Sequence, residues 1–298
     1  MTIKRPMKAP SDPITDGQLH AIRYPIVGSP KLDGWRCTVD GEPRTSSMKP
    51  WPNEFIREAL SDPMYQGLDG EILVGAPNDP KAFFNTDGPV KSRAGQPNFR
   101  FYVFDYWEGG DYSYQDRWLS ALPEERGRIV VLQQRLLNTP EEVIAYEREM
   151  LQLGFEGAMI RSLDGLYKQG RCSFREMNVF KRKPFVECEA VIVGFVESME
   201  NLNEQKMNET GHMRRSHHQA NMRPKGTLGS FVLKCDKWPG HELTAAPGEG
   251  YDMTWRQDVW NRRDEYLGKI ATVKYQLYGS RDAPRIPSVT QIRDYFVL

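Results

Sequence analysis

Between Gly28 and Cys37 the chain reads GSPKLDGWRC, setting a lone Lys31 directly after a proline and two residues before an Asp-Gly pair. A lysine in that setting is either a solvated charge or a nucleophile held by its neighbours. Its amine is a poor nucleophile while protonated and becomes usable when nearby cations depress its pKa and fix it in line with an electrophile such as phosphorus. Lys181 and Lys183, in FKRKPF, would share one face of a strand and could supply such cations. Glu71 and Glu156 stand in strand-like segments beside small residues. Hard carboxylate oxygens are what Mg²⁺ takes, with waters and phosphates completing the shell, whereas an isolated strand glutamate reads as a solvated or salt-bridged side chain. Arg36 completes K-x-D-G-x-R, in which Asp33 and Gly34 are also an ordinary turn signal.

These groups need strands to carry them. QGLDGEILVG and FRFYVFDYW are rich in apolar and aromatic residues and bounded by Gly or polar turns, so both are expected to be buried strands. A helix is predicted from Thr139 to Gly154: Thr139 is the N-cap, Pro140 the first residue, Glu142 completes a capping box, and Val143, Tyr146 and Met150 share a face. EGAMIRS follows as a strand. After VFKRKPF the pattern changes, with ECEAVIVGFVE and GSFVLKC as strands and Ala271, Val273, Tyr275 and Leu277 alternating with polar residues. One helix, Thr254 to Leu267, interrupts them. A long polar loop from Ser198 to Gly229 is expected between two of the strands, and loops of that length are commonly functional. The fold class is therefore α+β: residues 1–184 form antiparallel sheets with helices, and residues 185–298 form a small β-barrel.

At 298 residues the chain exceeds one ordinary compact domain, and with 39% hydrophobic and 27% charged residues it can bury real cores. No apolar run approaches the roughly 20 residues of a membrane span, and MTIKRPMKAPSDP lacks the apolar block of a secretory signal, so no membrane association and a cytoplasmic location are expected. Cys37, Cys172, Cys188 and Cys235 are scattered, which suggests buried reduced thiols and excludes a zinc-knuckle spacing. Zero formal net charge removes the argument that a basic protein binds nucleic acid, so local charge must carry it. Arg161 to Lys183 holds seven Lys/Arg against Asp164 and Glu176, and Lys206 to Lys225 holds five against Glu209. Each is a solvated face or a phosphate footprint. His217 and His218 read as polar loop residues, because no ligand partner is spaced with them.

Taken in order, KLDGWR, LDGE, YVFDYW, EGAMIR, FKRKPF and the terminal PRIPSVTQIRDYF resemble the motif series of covalent nucleotidyltransferases, most closely the small ATP-dependent DNA ligases of bacteriophages. The resemblance spans Lys31 to Asp294. It implies an adenylation domain followed by an OB-fold DNA-binding domain, with Lys31 as the nucleophile that takes AMP and Lys181 and Lys183 on the α-phosphate of ATP. Arg36 would grip the nucleotide, Glu71 the ribose hydroxyls or a metal, Glu156 the metal (Mg²⁺ or Mn²⁺), and Phe104 the purine face. Lys168 and Arg171 match basic positions that approach ATP phosphates or DNA, Arg171 being assigned to the nucleotide and Lys168 to DNA. Arg285 and Arg293 match the terminal motif that orients pyrophosphate.

Arg214, Arg215, Arg223 and Lys225 are the expected phosphate contacts of the barrel loop. Nicked duplex DNA is the implied partner and a monomer the implied state, in the host cytoplasm for a phage-encoded chain. Two departures from the family stand out. RTSSMKPWPN puts Thr45 and Ser46 where a Ser-Arg pair is common, leaving Arg44 as the nearby candidate DNA contact, and Arg293-Asp294-Tyr295 lacks the usual terminal lysine. An RNA ligase and a GTP-dependent capping guanylyltransferase share much of the series; a barrel that binds nucleic acid without catalysis is the non-enzyme alternative.

Overall fold

Strands form on both sides of the lysine string because its flanks hold apolar and β-branched residues, while Lys31 to Gly34, with its Asp-Gly pair, separates them. The computed structural model describes residues 3–108, 112–120, 126–207, 213–216, 218–276 and 284–293. His217, Leu277, Asp294 and Tyr295 lie outside them. The described chain divides into two compact units, the first running to Lys183 and also taking Met207, the second comprising Pro184–Lys206 and the described residues from Met213 on.

The first unit contains α1 (Asp16–Leu19), β1 (Ile26–Pro30), β2 (Trp35–Asp40), β3 (Glu42–Thr45), α2 (Glu54–Leu60), β4 (Leu68–Val74), α3 (Ala82–Lys91), β5 (Phe99–Tyr106), α4 (Tyr114–Ser120), β6 (Ile129–Val131), β7 (Arg135–Leu137), α5 (Pro140–Gln152), β8 (Ala158–Ser162) and β9 (Val179–Arg182). They build one sheet in the order β7-β1-β8-β9 and a second in the order β3-β2-β4-β5-β6. All pairings are antiparallel except β5 with β6. Helix α5 lays Val143, Tyr146 and Met150 on the first sheet, in a core with Ile26, Leu137 and Ile160. Its N-cap is Thr139, as expected, but Glu142 does not close a capping box. Its carboxylate instead accepts from Asn138 N–H at 2.8 Å, one residue earlier, which satisfies the chain entering the helix rather than the cap itself.

The second unit contains β10 (Val186–Asn201), β11 (Gln205–Met207), β12 (Met213–Arg215), β13 (Met222–Lys234), β14 (Glu242–Pro247), α6 (Met253–Asn261), β15 (Ile270–Gln276) and β16 (Arg285–Arg293). Five strands close a barrel in the order β10-β13-β14-β16-β15 around Ile192, Phe231, Leu233, Val273 and Val289, with Val259 of α6 in the same core. A closed five-stranded barrel is the OB architecture. The helix expected from Thr254 to Leu267 ends at Asn261, and Arg263–Tyr266 follow as a 3₁₀ turn.

The segment expected to be a loop, Ser198 to Gly229, is largely strand. β10 and β13 stay paired beyond the barrel, with Met199 opposite Pro224, Glu200 opposite Arg223 and Asn201 opposite Met222, and β11 pairs with β12 at the tip. Register shifts near Glu197 break the alternation, and β11 and β12 are exposed throughout, so this arm has no buried face to mark it as a sheet. All four cysteines are free and buried. No helix among the described residues is long and apolar enough to cross a membrane.

Candidate active site

The register of the first sheet gathers three distant motifs at one strand end. Ala158 of β8 stands opposite Pro30 on one side and Arg182 on the other, so the residues just beyond, Lys31, Glu156 and Lys183, converge. Backbone bonds extend this pairing: Lys31 N–H donates to Gly157 O (2.9 Å), and Glu156 N–H donates to Lys31 O (3.3 Å). Gly157 is required here. Its φ is +147°, and a Cβ would sit 2.2 Å from Arg182 O. Glu156, 3% exposed, accepts from the Lys31 ammonium on Oε2 and from Lys183 Nζ on Oε1 (2.8 Å).

This geometry corrects one sequence expectation. Burial pulls the Lys31 amine down, but the carboxylates of Glu156 and Glu71 outweigh it and hold the ammonium above the ordinary lysine range. Glu156 is depressed because Lys31 and Lys183 more than offset its burial. Lysine neighbours therefore do not dominate Lys31. Lys181 is the amine that is lowered, by burial and then by Lys183 and Lys31, and its ammonium donates to Ser11 O.

Behind Lys31 lies a narrow pocket lined by Arg36, Glu71, Phe104, Met159 and Arg161. Glu71, on β4, accepts from Gly34 N–H at 3.1 Å, and burial raises its pKa. The Asp-Gly turn thus docks on Glu71. Arg36 is clamped by Asp69, with both contacts at 2.6 Å. Phe104 lines the pocket as expected, but the guanidinium groups of Arg36 and Arg161 lie 4.6 and 4.7 Å from its ring centre. A purine could stack there only after one of them shifts.

Sequence reasoning passed over Asp69, Tyr167 and Arg161. Asp69 takes Arg36 and the Tyr167 hydroxyl (2.6 Å). Arg161, 3% exposed, donates to Ser29 Oγ at 3.1 Å and leaves its Nε unpaired. The readable signal was a charged residue inside each of the buried-strand runs LDGE and EGAMIR.

The remaining candidates are more dispersed. Arg44, on β3, pairs with Glu42 at 3.2 Å, and Lys168 with Glu176 at 2.5 Å. Arg171 donates to Ala9 O at 3.0 Å. Arg214 and Arg215 lie on β12, and Arg215 donates to Asn203 O. Arg223 and Lys225 are exposed on β13, and His218 precedes a 3₁₀ turn. Arg285 and Arg293 lie on β16, the latter paired with Glu189. No three His, Cys, Asp or Glu side chains among the described residues cluster to hold a metal ion.

No protein-family model matches the sequence. A comparison with curated proteins likewise found no match. Solved structures do match. The adenylated Chlorella virus DNA ligase is 27% identical, covering 98% of this chain and 100% of that one with a TM-score of 0.53, and a second crystal structure of that ligase gives the same identity and score. A Lig E DNA ligase, 21% identical over 90% of this chain and 92% of that one, matches the fold with a TM-score of 0.65. With the motif series in order and its lysines and glutamate in contact, the chain is similar over its whole length to the Chlorella virus ATP-dependent type of DNA ligase structure and shares its fold.

Proposed function

We propose that the protein seals nicks in duplex DNA through a lysyl-AMP intermediate and a DNA-adenylate. The observation that carries this reading is the contact of Lys31 and Lys183 with the single carboxylate of Glu156. The Lys31 amine attacks the α-phosphorus of ATP and pyrophosphate leaves. The adenylate then passes to the 5′-phosphate of the nick, and the adjacent 3′-hydroxyl displaces AMP. Lys181 and Lys183 offset charge on the phosphate oxygens, where fixed cations act most strongly out of water. Glu71 and Glu156 offer the hard carboxylate oxygens that Mg²⁺ or Mn²⁺ takes, such an ion keeping waters and phosphate oxygens in the rest of its shell. Bound there, the ion would neutralise charge on the phosphate being attacked. Residues 1–184 act as the adenylation domain and residues 185–298 as the DNA-binding domain of a monomer.

The direct test mixes the purified protein with α-labelled ATP or GTP and Mg²⁺, without nucleic acid. An acid-labile label on Lys31 from ATP is expected. Label from GTP alone would assign the chain to capping chemistry, and no label with intact DNA binding would leave a binding module. A nick with ribose on either side of the break separates a DNA ligase from an RNA ligase.

The held ammonium of Lys31 has a kinetic consequence. Attack requires the free amine, and the carboxylates move loss of its proton to higher pH. Self-adenylylation is therefore expected to climb about tenfold per pH unit through the neutral range and to keep rising in alkaline solution. A rate flat across that range would show that deprotonation of Lys31 does not limit the step.

The exposed cations of the arm make a separate prediction. Each lost phosphate contact flattens the log–log salt dependence of duplex affinity by about 0.9. Converting Arg214, Arg215, Arg223 and Lys225 together to Ala should weaken nick binding and shrink that slope while labelling of Lys31 stays near normal. An unchanged slope with normal binding would make the arm a merely solvated one.

A further inference from the structure

The N-terminal segment forms an extended edge beside the pocket. Lys8 N–H donates to Gly170 O (2.8 Å), and Cys172 N–H donates to Lys8 O (2.8 Å), so the segment brackets Arg171. Alternate carbonyls of an extended chain point to one side. Those of Met7, Ala9 and Ser11 accept from Arg36 (3.1 Å), Arg171 (3.0 Å) and Lys181 respectively. A neutral carbonyl orients a cation without cancelling its charge. Arg36 is paired with Asp69, and Lys31 and Lys183 share Glu156, whereas the side-chain bonds of Arg171 and Lys181 go to backbone carbonyls.

Lys8 adds to that surplus. Its half-buried side chain lies among Arg5, Arg36 and Arg171, and no carboxylate among the described residues pairs with it. Burial and then those three arginines disfavour its ammonium form. Cations gathered this way without a counter-charge disfavour one another and attract an anion.

We infer that Lys8 and Arg171 form an anion subsite beside Lys181 that takes a phosphate group, supplied by the triphosphate of the nucleotide or by the backbone of the nicked strand. The inference rests on the ligase reading and extends it to a residue outside the motif series. The segment from Met7 to Ser11 acts as a strap that sets the cations at a fixed spacing, and Lys8 is its own contribution to the phosphate.

The test compares Lys8→Gln and Lys8→Arg with the unaltered chain in two assays. One measures labelling of Lys31 against ATP concentration, the other sealing of a nick adenylylated beforehand against DNA concentration. Lys8→Gln is expected to weaken apparent affinity about tenfold in at least one assay, the size of one charge-assisted hydrogen bond, and Lys8→Arg to restore it. Loss only in the first assigns the phosphate to the nucleotide, and loss only in the second to the strand. In the unaltered protein, pyrophosphate or nicked duplex should shield Lys8 from acetylation by an amine-reactive ester, read by mass spectrometry. Both assays within twofold of the unaltered chain, or no shielding by either ligand, would overturn the subsite. Absence of any label on Lys31 in the unaltered protein would instead sink the ligase reading.

Discussion

Replacing Lys31 by alanine is expected to reduce self-adenylylation by at least about a thousandfold while leaving the sealing of a pre-adenylylated nick largely intact. As the proposed nucleophile, Lys31 acts in forming lysyl-AMP and would have no bond to make when the 3′-hydroxyl displaces AMP. The structure supports a clean separation of the two assays. Glu156 retains its contact with Lys183 when the Lys31 amine is removed, and the Lys31 backbone bonds to Gly157 and Glu156 do not depend on its side chain. ATP-dependent sealing that survives the substitution would move the nucleophile elsewhere.

Glu156→Ala is expected to fail in both assays, by about a hundredfold or more in each. Its carboxylate is the common partner of Lys31 and Lys183, and both ammonium groups are largely withdrawn from water. Removing it frees two neighbouring cations to repel one another, and takes away one of the two carboxylates suited to a divalent ion. Circular dichroism separates this from unfolding. A variant that sealed pre-adenylylated nicks at the normal rate would reduce Glu156 to a partner of Lys31 in the first step alone.

The strands that carry the motifs were legible because their burial is written locally. LDGEILV and FRFYVFDY are apolar enough that no other element suits them, and they appear as β4 and β5. Lys31, Glu71, Glu156, Lys181 and Lys183 stood out in the sequence by type and order, and the structure brings Lys31 and Lys183 onto Glu156. Their electrostatics were not legible, because Lys31 meets Glu156 across 125 positions, and only the pairing of β1 with β8 brings them together. Counting nearby lysines therefore gave the wrong direction for its pKa. The arm was missed for the opposite reason. Strands such as Gln205–Met207 and Met213–Arg215 bury nothing, and without a buried face a strand and a polar loop have the same composition.

Asp69 and Asp105 stand opposite one another on β4 and β5, both essentially sealed from solvent, one clamped by Arg36 and the other by Arg117. This square of charges limits the routes by which the gene can drift. Losing either arginine strands a carboxylate in the interior, and losing Asp105 strands the Arg117 guanidinium. Each such single step costs about 3–5 kcal/mol, a large share of what an ordinary domain has to spare. A volume-matched apolar exchange of a whole pair can be close to neutral. Descendants of this chain should therefore either keep an acid with its base or exchange the two together, so that substitution here proceeds in coupled jumps while the surrounding apolar positions wander one residue at a time.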